Sequence, residues 1–191
     1  MPEETGIHEL LTLKTIAETL NSSNELKPMI LTGSNRKEAT STKLAEYAAN
    51  FINQQGEQVT LFDLHKRPLP FYSPDESYAE HEHLNTLHQE MLNANAIILI
   101  TPEYHGSMSG VMKNALDHLG QTHFNGKVVL SASSAGGAVG VSSLLQLQAG
   151  VRNLHGINKP DWISIGGCSV SGSRLDTTGT RAVKKLKIAF A

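Results

Sequence analysis

The chain has 191 residues, 39% hydrophobic and 18% charged, with a net charge of −2 when histidine is neutral. That length suits one domain with a sizeable core, and the mild acidity gives no electrostatic support to a nucleic-acid or anionic-membrane role. One cysteine, Cys168, excludes an internal disulfide framework, suits a reducing compartment and reads as a small buried or half-buried residue. No apolar run is long enough to cross a bilayer, and the acidic start MPEETG lacks the apolar stretch of a secretory signal, so a cytoplasmic location is expected.

Residues 1–27 read as an appendage to a domain that fills 28–191. Ile7, Leu10, Leu11, Leu13, Ile16, Ala17 and Leu20 recur at helical spacing between Thr5 and the polar run Asn21–Asn24. The first core strand is Pro28–Thr32, followed by GSNRKEAT and a helix from Ser41 that Gly56 ends. Gln58–Leu64 alternates as a second strand, and the loop HKRPLPFYSPDE after it is stiffened by Pro68, Pro70 and Pro74. Glu76–Asn93 is expected to be a polar helix with Leu84, Leu87, Met91 and Leu92 as its buried stripe.

The run Ala96–Ile100 is too short for a helix and predicts a strand buried on both faces, stopped by Pro102. Glu103, Tyr104 and His105 are expected in a loop closed by Gly106. Ser109 is a good N-cap for a helix burying Val111, Met112, Ala115, Leu116 and Leu119. Asn125-Gly126 turns into a fourth strand, Lys127–Ala132; a Ser/Gly loop, 133–140, precedes a helix over Val141–Leu154. Asp161–Ile165 is the fifth strand, Gly166–Gly179 is loop-rich, and Arg181–Phe190 closes as a short basic helix. Strands alternating with helices predict a parallel, doubly wound, three-layer α/β sheet.

In such a sheet the loops after strands one, three and four open on one edge, where ligands bind. The first of them, Gly33-Ser34-Asn35-Arg36 with Thr40, Ser41 and Thr42 at the next helix start, offers hydroxyls, backbone N–H groups and one guanidinium. These can hold a phosphate, or they can form a plain capped turn. Neither a Walker loop nor a GxGxxG fingerprint is present.

Taken together, GSNRK with KLA, RPLPFY, TPEYHGSMSGVMKNALDHLG and SASSAGGAVG resemble the NADPH-dependent FMN reductase family over roughly residues 28–167. The resemblance implies a flavodoxin-like, five-stranded parallel sheet of order 2-1-3-4-5, here with an extra N-terminal helix. It also implies FMN as cofactor and NADPH or NADH as co-substrate. The family's phosphate loop maps onto Ser34, Arg36, Ser41 and neighbouring backbone. The loop beside the isoalloxazine maps onto Pro102, Glu103, Tyr104, His105 and Gly106, and the loop at the ring edge onto Ser133, Gly136 and Gly137.

The activity implied by that resemblance is hydride transfer from NAD(P)H to bound FMN, then two-electron reduction of a small-molecule acceptor such as a quinone, azo compound, nitro compound, flavin or metal oxyanion. No side chain is expected to act as acid or base, because the flavin carries the chemistry. A homodimer or homotetramer is implied, with Phe71-Tyr72 as a candidate contact and the N-terminal helix at the oligomer surface. Two departures from the family pattern stand out: Ala39 where Ser is common, and His105 where Asn is usual. Two other readings stay open, a non-catalytic flavodoxin-like electron carrier and a flavin-free structural or regulatory homologue, the latter supported by these departures.

Other features read more plainly. His81, His83 and His88 do not make the i, i+4 pair of a helical metal site and are expected on a solvated face; no metal is expected. His118 and His123 flank a helix end, where the dipole explains at least one of them. Glu103 suits a structural role better than that of a general base, and Trp162 suits core or interface.

Overall fold

The computed structural model describes residues 26–136 and 140–166, with the backbone alone at 170–171 and 174–175. The expected N-terminal and C-terminal helices, Cys168 and Gly137 lie outside the described residues.

Five strands form the parallel core: β1 (Pro28–Thr32), β2 (Thr60–Asp63), β3 (Ala96–Tyr104), β5 (Val128–Ala135) and β6 (Ile157–Gly166). A short β4 (Ser107–Met108) doubles back on β3. Their order, β2-β1-β3-β5-β6, is the expected 2-1-3-4-5 once the core strands are counted alone. The helices are α1 (Thr40–Gln54), α2 (Glu82–Asn93), α3 (Gly110–Asp117), α4 (Gln121–Phe124) and α5 (Val141–Asn153). Two further short strands, β7 (Val170–Ser171) and β8 (Arg174–Leu175), pair antiparallel within the stretch expected to be loop.

Alternation along the buried strands sends residues to two cores. Met29, Leu31, Ile97, Leu99 and Val129 face α2, α3 and α5, joining Leu87, Met91, Met112 and Leu147. Ile30, Ile98, Ile100, Leu130, Ala132, Ile163 and Ile165 point the other way, joining Leu44, Ala45, Ala48 and Ile52 of α1. Central strands buried on both faces need such unbroken apolar runs, which is why AIILI stands out in the sequence.

Several boundaries differ from expectation. Pro102 does not stop β3, which continues to Tyr104. The pairing with β1 ends at Ile100, so no bond of the β1 ladder depends on an N–H at position 102. Glu103 and Tyr104 are therefore strand residues, paired with Met108 and Ser107. The second helix starts at Glu82 rather than Glu76, because the His81 ring caps it, its Nδ1 accepting from Leu84 N at 3.3 Å. The fourth core strand runs on to Ala135, so Ser133 is strand rather than loop. The fifth begins at Ile157, with Pro160 in a register shift opposite Val129 and Ser131 on what is an edge strand.

The histidines also have settled partners. His83 Nδ1 lies 3.1 Å from Pro68 O and His88 Nε2 3.0 Å from His118 O, so these rings are not simply solvated. The His118 ring turns from its helix end to Pro70 O, at 2.9 Å, and His123 Nδ1 accepts from Gly120 N at 3.0 Å.

Candidate active site at the carboxyl edge of the sheet

The first loop leaves β1 under tight constraint. Gly33 N donates to Ile100 O at 2.7 Å, and a Cβ at Gly33 would lie 2.6 Å from Met112 Cβ, so only glycine lets the loop pass this close to α3. Ser109 completes the junction. Its hydroxyl donates to Gly33 O and accepts from Met112 N, and its own N–H donates to Thr101 Oγ1 at 3.0 Å. Ser109 is thus both the N-cap of α3 and the pin between two loops; only the first role is visible in the sequence.

Beyond Gly33, Ser34 is fully buried and its Oγ accepts from Arg36 N at 3.1 Å, folding the loop into a small turn. His65 Nδ1 meets Asn35 O at 2.9 Å, joining this loop to the one after β2. Arg36 is exposed.

The start of α1 differs from that of the helices around it. Its N-cap is Ala39, which offers no side-chain bond, and its first turn holds no acidic residue. The hydroxyls of Ser41 and Thr42 are buried and, among the described residues, have no hydrogen-bond partner; the Thr32 hydroxyl at the end of β1 shares that condition. Ser41 is 0% exposed. Buried hydroxyls normally find a partner, and leaving one unsatisfied costs about 1–3 kcal/mol. Two such hydroxyls and the N–H groups of a 15-residue helix without a side-chain cap are the donors an anion would take. The residues fit a phosphate.

Beside it stands the β3–β4 hairpin. His105 (φ 53°) and Gly106 (φ 73°) make its turn, both in the left-handed region. Histidine, like asparagine, is among the side chains that enter this region more often than most. Histidine in place of asparagine here therefore keeps the backbone path, and the His105 side chain is exposed. Tyr104 is 43% exposed, whereas Pro102 is buried.

The hairpin is fastened to α5. Glu103 Oε2 accepts from Ser143 N at 2.9 Å; Ser107 Oγ donates to Gln146 Oε1 at 2.6 Å, and Gln146 Nε2 donates to Gly106 O at 3.3 Å. Ser133 is fully buried with its hydroxyl 2.7 Å from that of Ser143, which itself donates to Gly140 O at 3.0 Å. The Ser133 side chain thus serves this junction, and its backbone sits in the ladder between Thr101 and Ser164. Gly136 is exposed at the end of β5.

Asn114 and Tyr78, which the sequence did not single out, hold the Pro-rich loop in place. Asn114 on α3 donates through Nδ2 to Pro70 O at 2.8 Å and accepts through Oδ1 from Tyr72 N at 2.9 Å. The Tyr78 hydroxyl donates to Phe71 O at 2.6 Å and accepts from Ser73 N at 2.7 Å. The ring of His118 packs edge-on against both Tyr72 and Tyr78. Phe71, 88% exposed, is presented by a loop with little freedom. The signal was the asparagine of KNALD, one helical turn past the N-cap, opposite a loop whose prolines leave few N–H groups of their own.

Comparison with known proteins bears on what this edge holds. The sequence profile of the NADPH-dependent FMN reductase family matches residues 26–169. The FMN-dependent NADPH-azoreductase of Staphylococcus aureus is 34% identical over 143 residues, which cover 73% of this chain and 76% of that protein. Among solved structures, the flavoenzyme NAD(P)H:acceptor oxidoreductase FerB of Paracoccus denitrificans superposes with a TM-score of 0.67 at 21% identity, covering 85% of this chain and 91% of that one. An archaeal flavodoxin superposes with a TM-score of 0.59 at 17% identity over 87% of this chain and 96% of that one, so the fold is flavodoxin-like.

Proposed function

The chain belongs to the NADPH-dependent FMN reductase family, and from that premise we propose that it holds FMN along this edge and reduces a small-molecule acceptor at the expense of NADPH or NADH. The observation that carries the reading is the start of α1, where buried, unpartnered Ser41 and Thr42 hydroxyls meet an uncapped helix terminus. When bound, FMN supplies the hydride acceptor at N5 and the two-electron donor to the second substrate.

The residues divide the remaining tasks. Thr40, Ser41 and Thr42, with the backbone of Gly33–Arg36, bind the phosphate, and the Arg36 guanidinium adds charge from the exposed side. The hairpin backbone from Pro102 to Gly106 orients the isoalloxazine, with Tyr104 bounding the space where both substrates enter. Backbone N–H groups just past the end of β5, at Gly136 and Gly137, hold the ring edge where negative charge develops on reduction. No side chain is assigned a proton to move.

Acceptors of the quinone, azo, nitro, flavin or metal-oxyanion class suit an open, aromatic-bounded space. The chain works in the cytoplasm as a homodimer or homotetramer, with Phe71-Tyr72 at the subunit contact and residues 1–27 at the oligomer surface. The test is the visible spectrum of the protein after incubation with FMN and desalting, before and after anaerobic NADPH. Flavin bands that bleach within enzymatic turnover times support the proposal. Bands that persist would leave an electron carrier, and bands that never form would remove the flavin reading.

A further inference from the structure

The Glu103 carboxylate lies beside the site yet bonds to backbone forty residues away. Helix α5 has Gly140 as its N-cap and no side-chain cap from its own first turn, so the N–H of Ser143 takes its partner from β3. A side-chain oxygen at a helix N-terminus satisfies an otherwise unpaired donor. Around that bond the chain is closely packed. A Cβ at Gly140 would lie 2.4 Å from Ser133 Oγ and 3.4 Å from Glu103 Cβ. Gly140 N donates to Ser164 Oγ at 3.2 Å, and Gln146 makes the parallel tie from α5 to Ser107 and Gly106.

We propose that Glu103 is a positioning residue that locks the β3–β4 hairpin to the start of α5, so that the backbones on either side of the flavin ring are held as one preformed unit. The inference rests on the reading of this edge as a flavin site. A preformed site binds more tightly because less ordering is left for the moment of binding. Glu103 acts through the oxygen it offers to Ser143 N; charge transfer and proton transfer have no part in it.

The experiment is a titration of apoprotein with FMN, followed by flavin fluorescence, for wild type, E103A, E103Q and Q146A, with melting temperatures measured alongside. Truncation to alanine leaves Ser143 N unpaired and lets the hairpin drift, and the expected loss of FMN affinity is about tenfold. Glutamine keeps an accepting oxygen at the same reach, so E103Q binds FMN within about twofold of wild type. Q146A cuts the parallel tie and weakens binding in the same direction as E103A.

Wild-type affinity in E103A would overturn the inference. So would E103Q failing as badly as E103A, which would assign the effect to charge. Should E103A not fold, the inference still falls if Q146A binds like wild type or E103Q fails to bind. A wild-type protein that takes up no FMN refutes the flavin reading itself; wild-type uptake together with an unaffected E103A refutes this inference alone.

Discussion

Two helix starts on the same edge of the sheet are built in opposite ways. The start of α5 is satisfied from within the chain: Glu103 takes the Ser143 N–H, the Ser143 hydroxyl bonds Gly140 O, and Ser133 closes the group. The start of α1 has an alanine at its N-cap and buried hydroxyls without partners. Helices α2 and α3 side with α5, capped by His81 and Ser109. Among the described residues, helices with satisfied starts stand beside an α1 start that is polar, buried and unpaired, a destabilisation that the proposed phosphate would remove.

The largest expected effect comes from breaking the frame that holds the open start in place. Gly33→Ala puts a Cβ 2.6 Å from Met112 Cβ, an atom fixed to the α3 backbone. The loop and helix must then separate, destabilising the fold by about 1–3 kcal/mol, and denaturant unfolding of the apoprotein measures it. A second change addresses the open start itself. The double variant S41A/T42A removes the two unpartnered hydroxyls. FMN binding should weaken by about tenfold to a hundredfold, while the apoprotein keeps or gains stability, because no satisfied bond is lost. A satisfied structural site would show the reverse pattern, a less stable apoprotein.

Ala39→Ser makes the open start resemble the closed ones. At φ −65° and ψ 145° the backbone is already extended as an N-cap requires. A serine hydroxyl there can accept from a first-turn N–H and should raise apoprotein stability by about 1 kcal/mol, read as a higher melting temperature. The smallest effect lies away from the edge, at His123. Burial first, then the nearby His88 ring, holds its pKa below the ordinary 6.5. The unfolded chain then binds the proton more readily, so stability is unaffected above pH 6.5 and is lost as pH falls from there through the lower folded value. Melting temperatures measured across that window should fall less steeply for H123Q than for wild type.

Much of the architecture was legible because buried parallel strands need unbroken apolar runs, and AIILI and KVVLSA supply them. The loops could be placed for the same reason, since strand ends determine the edge. The errors came where tertiary context overrode a local rule. Pro102 ends a central strand only where a neighbour needs its N–H, and β1 has already stopped at Thr32. Helix α2 begins at an unusual cap, His81, which no preference for serine or aspartate would suggest. The start of α1 was visible as a set of hydroxyls, but Ser34, Ser41 and Ser133 look alike in sequence. Only their surroundings separate a hydroxyl bonded to its own loop, one left without a partner and one joined to a neighbouring helix. Asn114 was hidden for a related reason: its two partners lie more than forty residues earlier, in a loop whose path sequence spacing does not determine.

The most direct test of the central claim compares FMN with riboflavin, which lacks only the phosphate, by titrating the apoprotein with each under the same conditions. If the start of α1 is the phosphate site, FMN should bind at least about a hundredfold more tightly, as several charge-assisted hydrogen bonds require. Equal affinity for the two flavins would contradict that account and leave the unpartnered hydroxyls of Ser41 and Thr42 without a ligand.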